Sequence, residues 1–270
     1  VLMYVRDIAN PSIDDEHFPM FRQKDWYLGN SWAAGLMSME LSPHGREQES
    51  SSEAIAAFEG IALFGTAMMD AFQDDVENLE SARMVRNVGE FLTSMEVEAA
   101  KRFWHVWGEQ EGSASNSSKV KDSSVGTHIN TYPSQYTKKV VGMMHDTMAS
   151  FQTWFAPQDV VSYGIQLIPF TAVAQRRDDQ EWTKELYPVY AKSCEIADMG
   201  SGQNSGFCVK NGWSVVQAGL LAETGKVDEA ISMAKDIPST VYLSEGADGH
   251  SATNTLWFIS TRKKEEALLQ

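Results

Sequence analysis

Positive charge is scarce in this chain: 22 Lys and Arg stand against 37 Asp and Glu in 270 residues, a net charge of −15 with histidine neutral. With a pI near 4.8, such a surface repels polyanions, which excludes nucleic acid as a partner but leaves an uncharged polymer unaffected. Cysteine is almost absent. Only Cys194 and Cys208 occur, so the chain is no disulfide scaffold, and the pair reads equally well as one short-range bridge or as two free thiols. His105, His128, His145 and His250 are too scattered for a metal set, and neither H-E-x-x-H nor C-x-x-C spacing appears, so no metal or other cofactor is expected. The chain also lacks the phosphate loop G-x-x-x-x-G-K-[ST], the dinucleotide turn G-x-G-x-x-G and the nucleophile elbow G-x-S-x-G, which removes the signatures of three large enzyme classes. No apolar run approaches the roughly 20 residues of a membrane span, so none is expected. The opening Val1-Leu2-Met3-Tyr4-Val5-Arg6 has no leader-peptide pattern and reads as the tail of a helix entered midway.

Carboxylates and aromatics remain as the chemistry. Glu49 and Glu53 stand four apart at the start of an apolar-periodic run, a spacing that on a helix puts two side chains on one face about 6 Å apart. Like charges so close raise the proton affinity of at least one carboxyl where water is excluded, which suits proton transfer. The plain alternative is ordinary helix-start chemistry. Ser50, Ser51 or Ser52 would cap the first turn, and early glutamates would complement the helix dipole. Some twenty residues upstream, Lys24-Asp25-Trp26-Tyr27-Leu28-Gly29-Asn30-Ser31-Trp32 gathers three aromatics beside an acid and an amide. Aromatic faces next to hydrogen-bonding groups match a sugar ring, with its apolar C–H faces and polar rim.

The pattern Asp25-Trp26-Tyr27-Leu28-Gly29-Asn30-Ser31-Trp32-Ala33, followed by Gly45-Arg46-Glu47-Gln48-Glu49-Ser50-Ser51-Ser52-Glu53-Ala54, resembles glycoside hydrolase family 81, the inverting endo-1,3-β-glucanases. The likeness continues at Thr153-Trp154-Phe155, at Tyr163-Gly164-Ile165-Gln166-Leu167-Ile168-Pro169 and at Gly212-Trp213-Ser214, and thins after residue 220. The resemblance implies an all-α chain: residues 1–270 as the C-terminal portion of one (α/α)6 catalytic domain, without the family's N-terminal β-sandwich and first helices. It implies 1,3-β-glucan as partner, and an extracellular or cell-wall location. Glu49 and Glu53 would supply the general base, while Asp25, Trp26, Tyr27, Asn30, Trp32, His44, Gln48, Trp154 and Tyr163 would bind substrate. Two positions depart from the family, which usually has His at Asn30 and Asn at Glu47. The family's general acid is an aspartate in an Asn-Asp-His-His-Phe-His-Tyr-Gly-like motif, and none occurs between Val1 and Lys24.

An inverting glycosidase needs its two carboxyls on opposite faces of the linkage, roughly 6.5–9.5 Å apart. Glu49 and Glu53 on one helix face supply one side only. The acid is therefore expected upstream, with Asp25 the candidate inside the chain. Two rival readings stay open: a glucan-binding protein without turnover, and an α/α-toroid hydrolase or lyase for another polysaccharide.

Apolar spacing predicts helices over 49–72 and 80–107, near 141–150, 181–199, 211–222 and 226–235, and over 253–267. Gly108 to Tyr136 reads as a long polar loop carrying a glycosylation triplet, Asn116-Ser117-Ser118. Trp154, Phe155 and Tyr163 read either as a stacking platform or as core, and His44 either bonds a sugar hydroxyl or caps its turn. Asp74-Asp75 and Asp178-Asp179 read as solvated helix boundaries.

Overall fold

The computed structural model describes residues 1–36, 43–107, 131–200, 206–243 and 250–263. The Asn116-Ser117-Ser118 triplet, most of the expected loop and the end of the last expected helix lie outside them. After α1 (Leu2–Ala9), the two longest helices are α2 (Ser51–Ala71) and α3 (Val76–Ala99), the latter running on through a π-helical turn, Ala100–Trp104. Each starts on a side-chain cap: Ser50 accepts from the Glu53 N–H, and Asp75 from the Asn78 N–H. Glycine lets the two cross closely. A Cβ on Gly65 would strike the Arg86 backbone, and one on Gly89 the Ala62 backbone. By length and apolar content α2 would suffice to cross a membrane, contrary to the expectation from apolar runs. Here Ile55, Phe58 and Ile61 of α2 are buried, and Phe58 and Ile61 pack with Leu92 of α3.

The segment expected as a helix near 141–150 is instead strand. Apolar spacing in Val140–Met144 fits either state, and pairing with residues about a hundred positions away decides it. β1 (Gly35–Leu36), β2 (Arg46–Gln48), β3 (Met143–His145) and β4 (Ala149–Ser150) form an antiparallel sheet in that order. Its register pairs Gly35 with Glu47 and Glu47 with His145. The chain is thus mostly helical with one small sheet, rather than all-α.

The second half is built from α4 (Asp159–Gly164), α5 (Ala174–Arg177), α6 (Gln180–Asp198), α7 (Phe207–Lys210), α8 (Trp213–Glu223), α9 (Val227–Asp236), α10 (Ser239–Tyr242) and α11 (Ala252–Ser260). It holds the largest core cluster, including Val160, Trp182, Leu186, Tyr190, Val216 and Phe258. Cys194 and Cys208 are joined, tying α6 to α7. Asp179 caps α6, as a helix boundary should, but its neighbour Asp178 is buried. There Arg177 donates from Nε to Asp178 at 2.7 Å and from Nη2 to the Leu167 carbonyl at 3.0 Å. Arg262 lies 3.5 Å from Glu223, whose carboxyl burial pushes well above its ordinary range. His105 stacks on Trp182 at 3.6 Å, with its Nε2 4.0 Å from Asp178.

Candidate active site

The entry to α2 is anchored at every residue. Ser50 Oγ donates to the Ile165 carbonyl at 3.0 Å, Ser52 Oγ to the same carbonyl at 2.8 Å, and Ser51 Oγ to Gln166 Oε1 at 2.9 Å. Gln166 Nε2 returns to the Glu49 carbonyl at 2.7 Å. The three serines therefore do more than cap: they fasten the helix start to residues 165–168, which belong to the other half of the chain. Because the helix begins at Ser51 on an extended Ser50 cap, Glu49 lies ahead of the cap and Glu53 lies in the first turn. The two do not share a helical face as the spacing alone suggested.

They nonetheless share a cleft of about 390 Å³, whose polar wall includes Gln23, Ser31, Glu47, Gln48, Glu49 and Glu53, with Trp154 at its edge. Burial, then Glu47, then Glu53, push the Glu49 carboxyl up to about 7. Its Oε1 is buried and accepts no hydrogen bond among the described residues. A carboxyl so placed exchanges a proton near neutrality.

Behind the cleft the aromatic segment serves as a frame. Asp25 accepts from the backbone N–H of Tyr27 at 2.9 Å and Leu28 at 3.0 Å, and from the Trp32 indole at 3.0 Å, with Arg46 3.5 Å away. Burial acts to raise its carboxyl, but these donors and Arg46 outweigh it and hold Asp25 below the ordinary range. An acid catalyst needs the opposite, which weighs against Asp25 as an internal acid. Trp32 is buried, with the Arg46 guanidinium 5.0 Å over its ring. Asn30 is buried and donates to the Ser31 carbonyl, and Gln48 bridges the Ala33 N–H and the Ser50 carbonyl.

Of the other expected residues, Trp26, Tyr27, His44 and Tyr163 lie apart from the cleft. Trp26 and Tyr27 are exposed along a separate groove of about 700 Å³, where Trp26 stacks on Phe91 of α3. His44 has Nδ1 3.2 Å from Thr147 Oγ1 and packs edge-on to His145. Tyr163 is 4% exposed, within the main core and against Phe151. At that burial Tyr163 offers little surface for stacking, which favours the core alternative. Trp154, 71% exposed, keeps a free face.

Sequence reasoning missed Glu47, Ser31 and a buried ion pair beneath them. Lys24 Nζ lies 3.1 Å from Glu96 Oε1, which also accepts from Ser31 Oγ, and Lys24 donates to the Gly29 carbonyl at 2.6 Å. Burial lowers the Lys24 ammonium and raises the Glu96 carboxyl, each opposed by the other's charge. The signal existed: Glu96 falls on the same helical stripe as buried Leu92 and Ala100.

The family model described as Glycosyl hydrolase family 81 C-terminal domain matches residues 1–258. A glucan endo-1,3-beta-D-glucosidase of Glycine max is 28% identical over 257 residues, which are 93% of this chain and 31% of that protein. The primary septum glucan endo-1,3-beta-D-glucosidase of Schizosaccharomyces pombe is 41% identical over 75 residues, 28% of this chain and 7% of that protein. A solved structure of a family 81 glycoside hydrolase from Clostridium thermocellum shares the fold, with a TM-score of 0.62 at 21% identity over 94% of this chain and 28% of that one. The chain spans under a third of the length of each of these relatives.

Proposed function

The chain belongs to glycosyl hydrolase family 81, and from that premise we propose that it carries the base side of an active site for endo-hydrolysis of 1,3-β-glucan with inversion. Glu49 is the general base, removing a proton from the attacking water, and Glu53 binds or orients that water. The observation that carries the assignment is the Glu49 carboxyl itself, half-buried on the cleft wall with one oxygen unpartnered among the described residues and a proton affinity raised to about 7. Glu47, Glu49 and Glu53 come from one short stretch of chain, so the opposing acid is proposed to be an aspartate outside these residues. Residues 1–270 would then be the later helices of an (α/α)6 toroid. Trp154 offers its exposed face to a glucosyl ring, and Gln48 and Trp32 hold the wall that faces it. The expected setting is outside the cell or at the cell wall, in keeping with the septum enzyme among the relatives.

The test is a reducing-end assay on linear 1,3-β-glucan with this chain and with a form extended upstream. The expected outcome is turnover in the extended form that falls as pH drops through about 7 and is lost in Glu49→Gln. Retention of near-parental turnover by Glu49→Gln would sink the assignment.

A further inference from the structure

Glu49 follows directly on β2, a strand of three residues. So short a ladder leaves little to fix its register, and a slip of one residue would turn every side chain to the opposite face. One side chain ties β2 to two other parts of the chain. Arg46 donates from its backbone N–H to Asp146 Oδ2 at 2.7 Å, and from Nη2 and Nε to Asp146 Oδ1 at 2.8 and 3.2 Å. The Asp146 N–H returns to the Arg46 carbonyl at 3.3 Å. The same guanidinium lies 3.5 Å from Asp25 Oδ2, the oxygen that accepts the Trp32 indole N–H, and 5.0 Å over the Trp32 ring. The turn before β2 is shaped to this contact, since Gly45 has φ +89° and a Cβ there would meet the Asp146 side chain. Alternation puts Gln48 on the Arg46 side of the strand and Glu47 on the other. Gln48 reaches the Ala33 N–H and the Ser50 carbonyl, while Glu47 Oε2 lies 3.8 Å from His145 Nδ1.

We propose that Arg46 is a positioning residue of this active site: its guanidinium, held between Asp146 and Asp25 over the Trp32 ring, sets the register of β2 and thereby where the Glu49 carboxyl stands in the cleft. Glu49 is then fixed from both directions, by Arg46 before it and by the bond from Gln166 to its own carbonyl. Arg46 and Asp146 are each partly exposed, and an ion pair in contact with water contributes little to the stability of a fold. Its effect on geometry is larger, because a misplacement of about 1 Å at a reacting group can cost about 10²-fold in rate. Lysine is no substitute. The planar guanidinium engages Asp146 through two nitrogens while Nη2 also stands near Asp25, whereas an ammonium is one point charge on a flexible stem. The contact also outlasts mild acid. The Arg46 side chain, then its N–H, hold the Asp146 carboxyl below its ordinary range, so the clamp stays ionised where Glu49 titrates.

This inference rests on Glu49 as the base, and two readouts test it. The first needs no turnover. The Ala34 N–H donates to the Glu47 carbonyl at 3.2 Å, so amide exchange at Ala34 in this chain, followed by NMR, is expected to quicken about tenfold in Arg46→Gln while the amides of α8 keep their parental rates. The second is glucan turnover in the upstream-extended protein. Arg46→Gln and Asp146→Ala are each expected to lower kcat about tenfold with KM and melting temperature near the parent, and Arg46→Lys to regain only part of the loss. The double variant should lose no more than either single one, since both break one contact. Arg6→Gln, which breaks the bidentate pair with Asp15, should leave kcat unchanged. Parental exchange at Ala34, parental kcat in Arg46→Gln, additive losses in the double variant, or a fall in kcat matched by the fall in folded protein overturns the proposal. If Arg46→Gln does not fold, Asp146→Ala and Arg46→Lys carry the same comparison; failure of all three to fold makes Arg46 a stability residue and also overturns it. If exchange at Ala34 quickens while Glu49→Gln still hydrolyses glucan, the clamp on β2 stands and the base assignment alone fails.

Discussion

Two regions of this molecule take carboxylates out of water, in opposite company. Around α6 and α11, Asp178 and Glu223 are enclosed with Arg177 and Arg262, and a backbone carbonyl and a stacked histidine complete the cluster. At the start of α2, Glu47, Glu49 and Glu53 share a cleft wall, and the nearby guanidinium of Arg46 is turned to Asp146 and Asp25. In the first region two guanidiniums lie against the two carboxyls, although burial and Asp178 still hold Glu223 well above its ordinary range, and removing one guanidinium leaves a buried carboxylate stranded. In the second, with His145 beside Glu47, burial and the neighbouring glutamates push the Glu49 carboxyl up to about 7. Burial raises a carboxyl in both regions, and what sets the first apart is the pair of guanidiniums packed against Asp178 and Glu223.

The sharpest way to break this contrast is to remove one group from each region. Glu49→Gln is expected to lower glucan turnover in the upstream-extended protein by about 10³-fold, as for loss of a positioned base, with no loss of thermal stability. Arg177→Met should do the reverse, destabilising the fold by roughly 3–5 kcal/mol in urea melts, because Asp178 is left buried without its partner. A loss of activity greater than the loss of folded protein in Arg177→Met would place that cluster in the chemistry and dissolve the contrast.

Smaller effects sharpen it. Trp154→Ala should raise KM for glucan about tenfold and leave kcat nearly unchanged, the loss of one stacking face. The stability of Glu49→Gln should depend on pH in a stated direction. The folded Glu49 carboxyl keeps its proton to about 7, against an ordinary value of 4.5. Its contribution to folding is therefore complete below about 4.5 and is lost as pH rises through about 7. Glutamine cannot ionise. At pH 8 the variant should exceed the parent by ~1 kcal/mol, a figure reduced for solvent screening because the carboxyl is only half-buried, and at pH 4 the two should melt together. Equal melting at pH 8 would mean that the cleft does not strain its own charge.

Much of the helical frame was legible. Long apolar periodicity marks α2, α3, α6, α8 and α9 to within a few residues at most ends, because a helix is decided by neighbours three and four positions away. The strands were not, since Met144 takes its state from Gln48 through pairing that no local window contains. The site divides the same way. Glu49, Glu53 and Trp154 stand out by residue type and spacing, whereas Glu47 counts only through His145, and Tyr163 changes meaning once Phe151 covers it. Asp178 was misread for a related reason. An acid at a helix boundary is ordinarily solvated, and only the return of the chain at Glu223 and Arg262 encloses this one.

The serine anchors carry an implication for recombining this fold. Glu49 is held through its own carbonyl by Gln166, 117 positions along the chain, and Ser50, Ser51 and Ser52 fasten to the same short stretch. A hybrid that takes its first hundred residues from one relative and the remainder from another crosses this seam. It will inherit a glutamate of the right identity in a misaligned frame unless the serine triplet and the Ile165-Gln166 segment travel together. These two stretches behave as one heritable unit, although the chain writes them far apart.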